Sequence, residues 1–208
     1  MTQASSQPLL IVLSAPSGGG KTTLCEQLLA TNHGVARAVT CTTRAPREGE
    51  QEGVHYYFLA PAEYERLMQA GEFLEHATVY GNSYGTLARE VITRLRAGKD
   101  ALLAIDVQGA AAVRARAMQD EELRRALVTV FLTPPSMSVL EARLKKRAQD
   151  SPDAIKKRLT VAREEISQWR HFDYLILSTT IAEDLRRMQA VLEAERMRQC
   201  RATPPLLD

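Results

Sequence analysis

The chain has 208 residues, of which 45% are hydrophobic, 25% charged and 5% aromatic. That length fits one large domain or one domain with a modest insert, and the composition excludes collagen-like, disordered and coiled-coil chains. Twenty-seven Lys and Arg against 25 Asp and Glu leave a formal net charge of +2, so overall charge does not point to nucleic acid and local clusters must decide.

No run approaches the roughly 18 apolar residues that cross a bilayer. A chain of this size buries a core without disulfide or metal staples. Cys25, Cys41 and Cys200 are odd in number, widely spaced and form no C-x-x-C pair. They argue against a disulfide framework or a zinc site and for a reducing, cytoplasmic setting. Met1 to Pro8 lacks a basic segment followed by an apolar run, so it reads as a frayed tail, not a signal peptide.

Taken in chain order, Leu9 to Ser14 is a short apolar run that predicts a strand buried on both faces. Helix formers follow from Lys21 to Thr31 and stop near Asn32 and Gly34. Ala101–Asp106, Leu127–Leu132 and Tyr174–Leu177 predict three more buried strands. Helical segments are expected at about 108–118, 136–147, 151–169 and 181–199. In the third of these, Ser151 suits the N-cap and Pro152 the first turn, with Ile155, Leu159, Ala162, Ile166 and Trp169 forming one stripe. Ile181, Leu185, Met188 and Leu192 repeat that pattern in the last helix. Alternating strands and helices predict an α/β fold, a parallel sheet flanked by helices. Residues 39–86 break the alternation: turn clusters and short aromatic strands at 55–59 and 73–80 predict a small β-rich insert.

Residues 14–23 read S-A-P-S-G-G-G-K-T-T. This is a phosphate-loop pattern with Ala15 at its first glycine position, then Pro16, Ser17, Gly18 and Gly19 before Gly20-Lys21-Thr22. Glycines let successive N–H groups turn toward one anion, and the helix that follows adds its N-terminal dipole. In such a loop Lys21 reaches the β- and γ-phosphates and the Thr22 hydroxyl ligates Mg²⁺, with Thr23 beside it. A Gly-rich turn alone explains the glycines but not the Lys-Thr pair after them. The pattern therefore predicts nucleoside triphosphate binding.

Arg44 and Arg47 flank Pro46 in an extended turn beside Glu48, Glu50 and Glu52. Guanidinium forks suit phosphate, yet arginines near acids also make ordinary solvated ion pairs. From these residues alone both readings stand.

The blocks SAPSGGGKT, TTRAPREGEQEGVHYYF, FLEHATVYGNSYGT, IDVQG and RLKKRAQD, in this order, closely resemble the guanylate kinase family from about Leu9 to Glu195. The resemblance implies a P-loop kinase fold and transfer of the γ-phosphoryl group of ATP to GMP, with Mg²⁺. It implies a core of residues 9–38 and 87–208, a GMP-binding insert at 39–86 and a helical lid at about 140–158. It also implies that Arg44, Arg47, Tyr56 and Tyr84 hold the GMP phosphate, and that Thr40, Glu75, Gly85, Thr86 and Asp106 surround the guanine. Guanine chemistry agrees, because N1–H and the 2-amino group form a donor pair that a carboxylate accepts and adenine lacks. The same resemblance places Arg143, Arg147 and Arg158 over the triphosphate. It implies no nucleic-acid or membrane partner and leaves the oligomeric state open.

Three positions depart from the family pattern: Ala104 stands two before Asp106 where an acid is usual, Ser178 where asparagine is common, and Ala148 where the lid often has glycine. Two rival readings remain: an inactive kinase-like interaction module, or a kinase for another nucleoside monophosphate. The intact Gly20-Lys21-Thr22 weighs against the first. The trio of Glu75, Thr86 and Asp106 weighs against the second.

Overall fold

A computed structural model describes residues 7–79, 81–146 and 151–202. Strand β1 (Leu10–Ser14) is followed by α1 (Lys21–Thr31), β2 (Val35–Arg37), β3 (Thr40–Thr42), β4 (Tyr56–Phe58) and α2 (Pro61–Gln69). The chain continues through β5 (Phe73–Val79), β6 (Asn82–Leu87), α3 (Ala88–Arg96), β7 (Asp100–Ala104), α4 (Val107–Ala117) and α5 (Glu121–Ala126). It closes with β8 (Leu127–Thr133), α6 (Met137–Lys146), α7 (Pro152–Ser167), a 3₁₀ turn (Gln168–His171), β9 (Tyr174–Leu177) and α8 (Ile181–Met197).

Among the described residues, the first sheet has the order β2-β7-β1-β8-β9, with every pair parallel. Period-two alternation sends the side chains of this sheet into two cores. Leu9, Ile11 and Leu13 face α1 and α8 with Val128, Val130, Leu132, Met188 and Leu192. Leu10 and Val12 face α3, α4 and α5 with Leu103, Val91, Val113 and Leu123. The result is three layers, the expected arrangement for strands that are apolar on both faces. Each fully buried leucine of these clusters, Leu13 and Leu123 among them, contributes roughly 2 kcal/mol of transfer free energy.

The second sheet, β4-β3-β6-β5, is mixed: β3 pairs β4 in parallel and β6 antiparallel, and β5 pairs β6 antiparallel. Its apolar side packs Tyr64 and Leu67 of α2 onto Cys41, Phe73 and Leu87. Gly85 of β6 lies so close to its neighbours that a Cβ there would stand 2.8 Å from Phe73 and 3.0 Å from the Glu75 carbonyl oxygen. Gly85→Ala is expected to cost about 2 kcal/mol by overpacking, hence ~4–8 °C in Tm. A thermal melt reads this directly, and an unchanged Tm would mean the strands separate freely.

Several expectations need correcting. The segment 39–86 also holds a helix, because Pro61 opens α2, and of the Gly81–Ser83 turn cluster only Gly81 is turn, with Asn82 and Ser83 already in β6. Val35–Arg37, for which no element was expected, is an edge strand of the main sheet beside β7. Helices α3 and α5 were not anticipated. The seventh helix gives way to a 3₁₀ turn after Ser167, leaving Trp169 37% exposed and outside the stripe, and Ile181 is 55% exposed. The Ser151 cap is present, its hydroxyl accepting the Ala154 N–H at 3.3 Å. Among the described residues no helix is long and apolar enough to cross a membrane.

Candidate active site

The phosphate loop leaves β1 at its carboxyl end, in the middle of the sheet, where β7 lies on one side and β8 on the other. Crevices of this kind, beyond the carboxyl ends of parallel strands, are where α/β proteins place ligands. Ala15 is buried and the chain then curls: the Gly19 N–H donates to the Pro16 carbonyl at 2.8 Å, and Gly18 and Gly20 take left-handed conformations with φ of 83° and 102°. Only glycine adopts these without strain. Gly18 also lies under α6, where a Cβ would stand 2.7 Å from a Leu144 methyl.

Helix α1 starts at Lys21 with no side-chain cap. Its first N–H groups are therefore left for an anion. Residues 15–23 enclose a hollow of about 280 Å³ together with Asp106 and Glu165. All of the ATP-binding candidates thus line one cavity: Ala15, Pro16, Ser17, Gly18, Gly19, Gly20, Lys21, Thr22 and Thr23. Burial lowers the Lys21 pKa, and the nearby Asp106, Cys25 and Glu165 act in the opposite direction. Cys25, on the next turn of α1, has its thiol pushed up to about 11 by burial, which leaves it a poor target for oxidation.

Asp106 follows β7 and caps α4, one carboxylate oxygen accepting the Gly109 N–H at 2.8 Å. A Cβ added to Gly109 would stand 3.2 Å from the other acid of the predicted trio, Glu75 Oε2. Glu75 comes from β5, directly across from Thr86 of β6, and its Oε1 accepts the Thr86 hydroxyl at 2.7 Å. Glu75 is only 6% exposed. Burial raises its pKa; the Thr86 hydrogen bond opposes the shift, while Asp106 adds to it. A buried carboxylate whose second oxygen lies beside a glycine is an acceptor held ready for a donor.

One strand further on, Tyr84 of β6 is paired with Thr42 of β3, and Thr40 of β3 with Tyr56 of β4. The rings of Tyr56 and Tyr84 meet edge-on at 6.1 Å, and the Arg44 guanidinium sits 5.5 Å from the Tyr56 ring centroid. Arg44 also donates to both oxygens of Glu50, at 2.8 and 3.0 Å, and Glu50 accepts the Arg47 N–H at 2.7 Å. The ion-pair reading of this turn is therefore correct as far as it goes. Glu50 is held below the usual carboxylate range, first by Arg44. It aims Arg44 across the Tyr56 face, while the other edge of the fork donates to the Ala45 carbonyl at 2.8 Å.

Arg143 of α6 donates to the Ser178 hydroxyl at 3.0 Å and reaches the Ser178 and Thr179 carbonyls at 3.4 Å. The same hydroxyl donates to Asp184 at 2.6 Å. With Gly20, Thr23, Leu24 and Ile181 these groups border a second hollow of about 230 Å³ that adjoins the first. Arg158 lies on α7. Arg147 and Ala148 fall outside the described residues. Ala104, at the end of β7, packs against the apolar core and supplies no carboxylate.

Sequence reasoning missed Glu50 as a positioning group, Asp184 as the partner of Ser178, and Glu165 in the phosphate hollow. Glu50 had a signal, since it lies in the TTRAPREGE block. Glu165 had none, being one of two adjacent glutamates on a helix.

The guanylate kinase family profile matches residues 7–195. A guanylate kinase of Jannaschia sp. is 40% identical over 199 residues, spanning 96% of this chain and 89% of that one. A guanylate kinase of Maricaulis maris is 42% identical over 193 residues, spanning 93% and 86%. The crystal structure of guanylate kinase from Anaplasma phagocytophilum superposes with a TM-score of 0.71 at 36% identity, covering 96% of this chain and 92% of that one. On the extent of that match and the fold it shares, the chain belongs to the guanylate kinase family.

Proposed function

We propose the following division of labour for the transfer of a phosphoryl group from ATP to GMP. The triphosphate of ATP occupies the hollow formed by residues 15–23, and its adenosine extends into the adjoining hollow beside Ser178, Thr179 and Ile181. GMP lies against the second sheet, its guanine edge on Glu75, Thr86 and Asp106 with Thr40 and Gly85 as walls. Its phosphate sits between Arg44, Arg47, Tyr56 and Tyr84. The observation that carries this reading is the position of Asp106: it lines the phosphate hollow and caps the helix whose Gly109 touches Glu75. That link supports a single cleft for the two nucleotides.

No general base is required. Phosphoryl transfer passes through a loose transition state whose charge is spread over the equatorial oxygens, so alignment and positive charge supply most of the acceleration. Lys21 and the loop N–H groups hold the γ-phosphate, Arg44 holds the acceptor phosphate in line, and Arg143, Arg147 and Arg158 complete the cage on closing. Closure excludes the water that would otherwise hydrolyse ATP.

Thr22 and Asp106 line the same hollow, and their hydroxyl and carboxylate are oxygen donors of the kind that would hold Mg²⁺ and its water shell. Mg²⁺ commonly takes one or two protein ligands and keeps several waters, so Ala104 does not remove the site. When bound, it would supply positive charge that neutralises the triphosphate.

Arg44→Gln is expected to weaken GMP binding roughly 100-fold, as loss of a charge-assisted fork does, with affinity for an ATP analogue unchanged. Glu50→Gln, which only disturbs aim, costs GMP about tenfold. Calorimetric titration of each nucleotide checks both, and an equal loss for ATP in Arg44→Gln would refute the assignment.

A further inference from the structure

Glu165 has no part in the transfer described above, yet its side chain is in the triphosphate hollow. It projects from α7, and its Oε2 accepts the Ser17 N–H of the phosphate loop at 3.2 Å. It also faces Lys21, on whose pKa it acts as a negative charge. An anion thus rests on a loop N–H that, in the reading above, belongs to a phosphate oxygen.

Burial raises the Glu165 pKa, while the Ser17 N–H and Lys21 act against the shift. The carboxylate is therefore held there by the groups that would bind phosphate. On the same helix, Arg158 stands seven residues before it, two turns away on the same face.

We propose that Glu165 is a specificity-determining residue that bars small phosphate groups from the phosphate loop. A cradle of N–H groups with a lysine has no intrinsic means of refusing inorganic phosphate or the phosphate of GMP, and either one would block ATP. A carboxylate already seated on the loop imposes a competitor of the same charge. A monophosphate gains too few contacts to displace it. A triphosphate, which spans the loop from Ser17 to Thr22 and gains adenosine contacts beyond Gly20, displaces Glu165 and swings it off the loop. Two phosphate-binding sites in one cleft are kept from accepting each other's ligand by repulsion as much as by attraction, the usual way that close specificity is achieved.

This inference rests on the reading of the loop as the ATP site, and the test separates the two. Inorganic phosphate and pyrophosphate are titrated calorimetrically, without Mg²⁺, into the intact protein, Glu165→Ala, Glu165→Gln, and each of these combined with Lys21→Ala. Glu165→Ala is expected to bind phosphate at least roughly tenfold tighter than the intact protein, the scale of one charge-assisted contact. Glu165→Gln, which keeps the shape and the acceptor but not the charge, falls between. Lys21→Ala removes the gain in both. In steady-state assays GMP becomes a competitive inhibitor against ATP in Glu165→Ala but not in the intact protein.

A tightened anion site cannot arise from a damaged fold, so the gain distinguishes this role from a merely structural one. If Lys21→Ala abolishes phosphate binding while Glu165→Ala and Glu165→Gln bind no tighter than the intact protein, the specificity role is wrong and the loop assignment stands. If Lys21→Ala leaves phosphate binding unchanged in every background, the loop assignment fails and the inference falls with it.

Discussion

Lys21→Met is expected to lower kcat by roughly 10³-fold while leaving the fold intact, and to raise Tm slightly at neutral pH. The loss follows from removing a preorganised cation aimed at charge that develops on the transferring phosphoryl group, where single donors contribute about 10²–10³-fold. The gain in stability follows from the environment of the lysine. Its pKa is lowered in the folded protein by burial. Between the folded and unfolded pKa values the unfolded chain therefore binds more protons, so the lysine makes folding less favourable at low pH and the penalty disappears as pH rises through that window. A neutral side chain of similar length escapes the penalty at pH 7. A coupled ADP-release assay and a thermal melt on the same preparation check both halves. A variant that loses activity together with several degrees of Tm would point to a structural lysine.

The second large effect concerns the acceptor. Glu75→Gln is expected to reduce kcat/KM for GMP by roughly 100-fold or more, because an ionised acceptor is replaced by an amide that meets one of guanine's donors with its own N–H₂. Activity on AMP should change far less, so the preference between the two narrows. Sites built around a buried hydrogen-bonding group reach about 10⁴-fold discrimination because the wrong ligand leaves that group unpaired. Here too activity and stability part. The Glu75 pKa is raised above the usual 4.5 by burial. Within the window between the two values the folded state holds the extra proton, so stability contributed by this group is present below the window and lost as pH rises through it. Glu75→Gln should therefore melt higher than the intact protein at neutral pH and converge with it in acid. Paired melts across that range, with GMP and AMP kinetics at pH 7, decide the matter.

Both variants express one property of the cleft. Lys21 and Glu75 are charges whose burial is only partly offset by their neighbours: Asp106 and Glu165 for Lys21, the Thr86 hydroxyl for Glu75. Trading function for stability at such positions is common in enzymes.

Much of this was legible from residue order. The strand Leu10–Ser14, the three glycines and Lys21-Thr22 form a purely local motif, and β9 and α1 fall where the apolar runs place them. The Ser151 cap is likewise local, its hydroxyl accepting an N–H three residues on. What stayed hidden depends on partners distant in sequence. Val35–Arg37 has little strand character of its own and becomes one by lying beside β7. Helix α2 was obscured because Tyr64 and Leu67 fill the small second core with a stripe too short to stand out. Ile181 followed a helical period correctly but borders a hollow and not the core.

The trio assigned to the guanine shows the same division. Glu75, Thr86 and Asp106 came from the family resemblance, since nothing in a strand such as FLEHATV marks its glutamate as buried. The register that sets Glu75 opposite Thr86 supplies the reason. Glu165 is the extreme case, 148 residues from the Ser17 it touches and invisible to any local pattern.

The most direct test is ADP release by the intact protein with ATP and Mg²⁺, offered GMP, dGMP, AMP, UMP and CMP in turn. Rapid turnover with the guanine nucleotides and little with the others is the expected result. Turnover of AMP with none of GMP would contradict the account, for it would mean that the buried carboxylates do not read the amino edge of guanine.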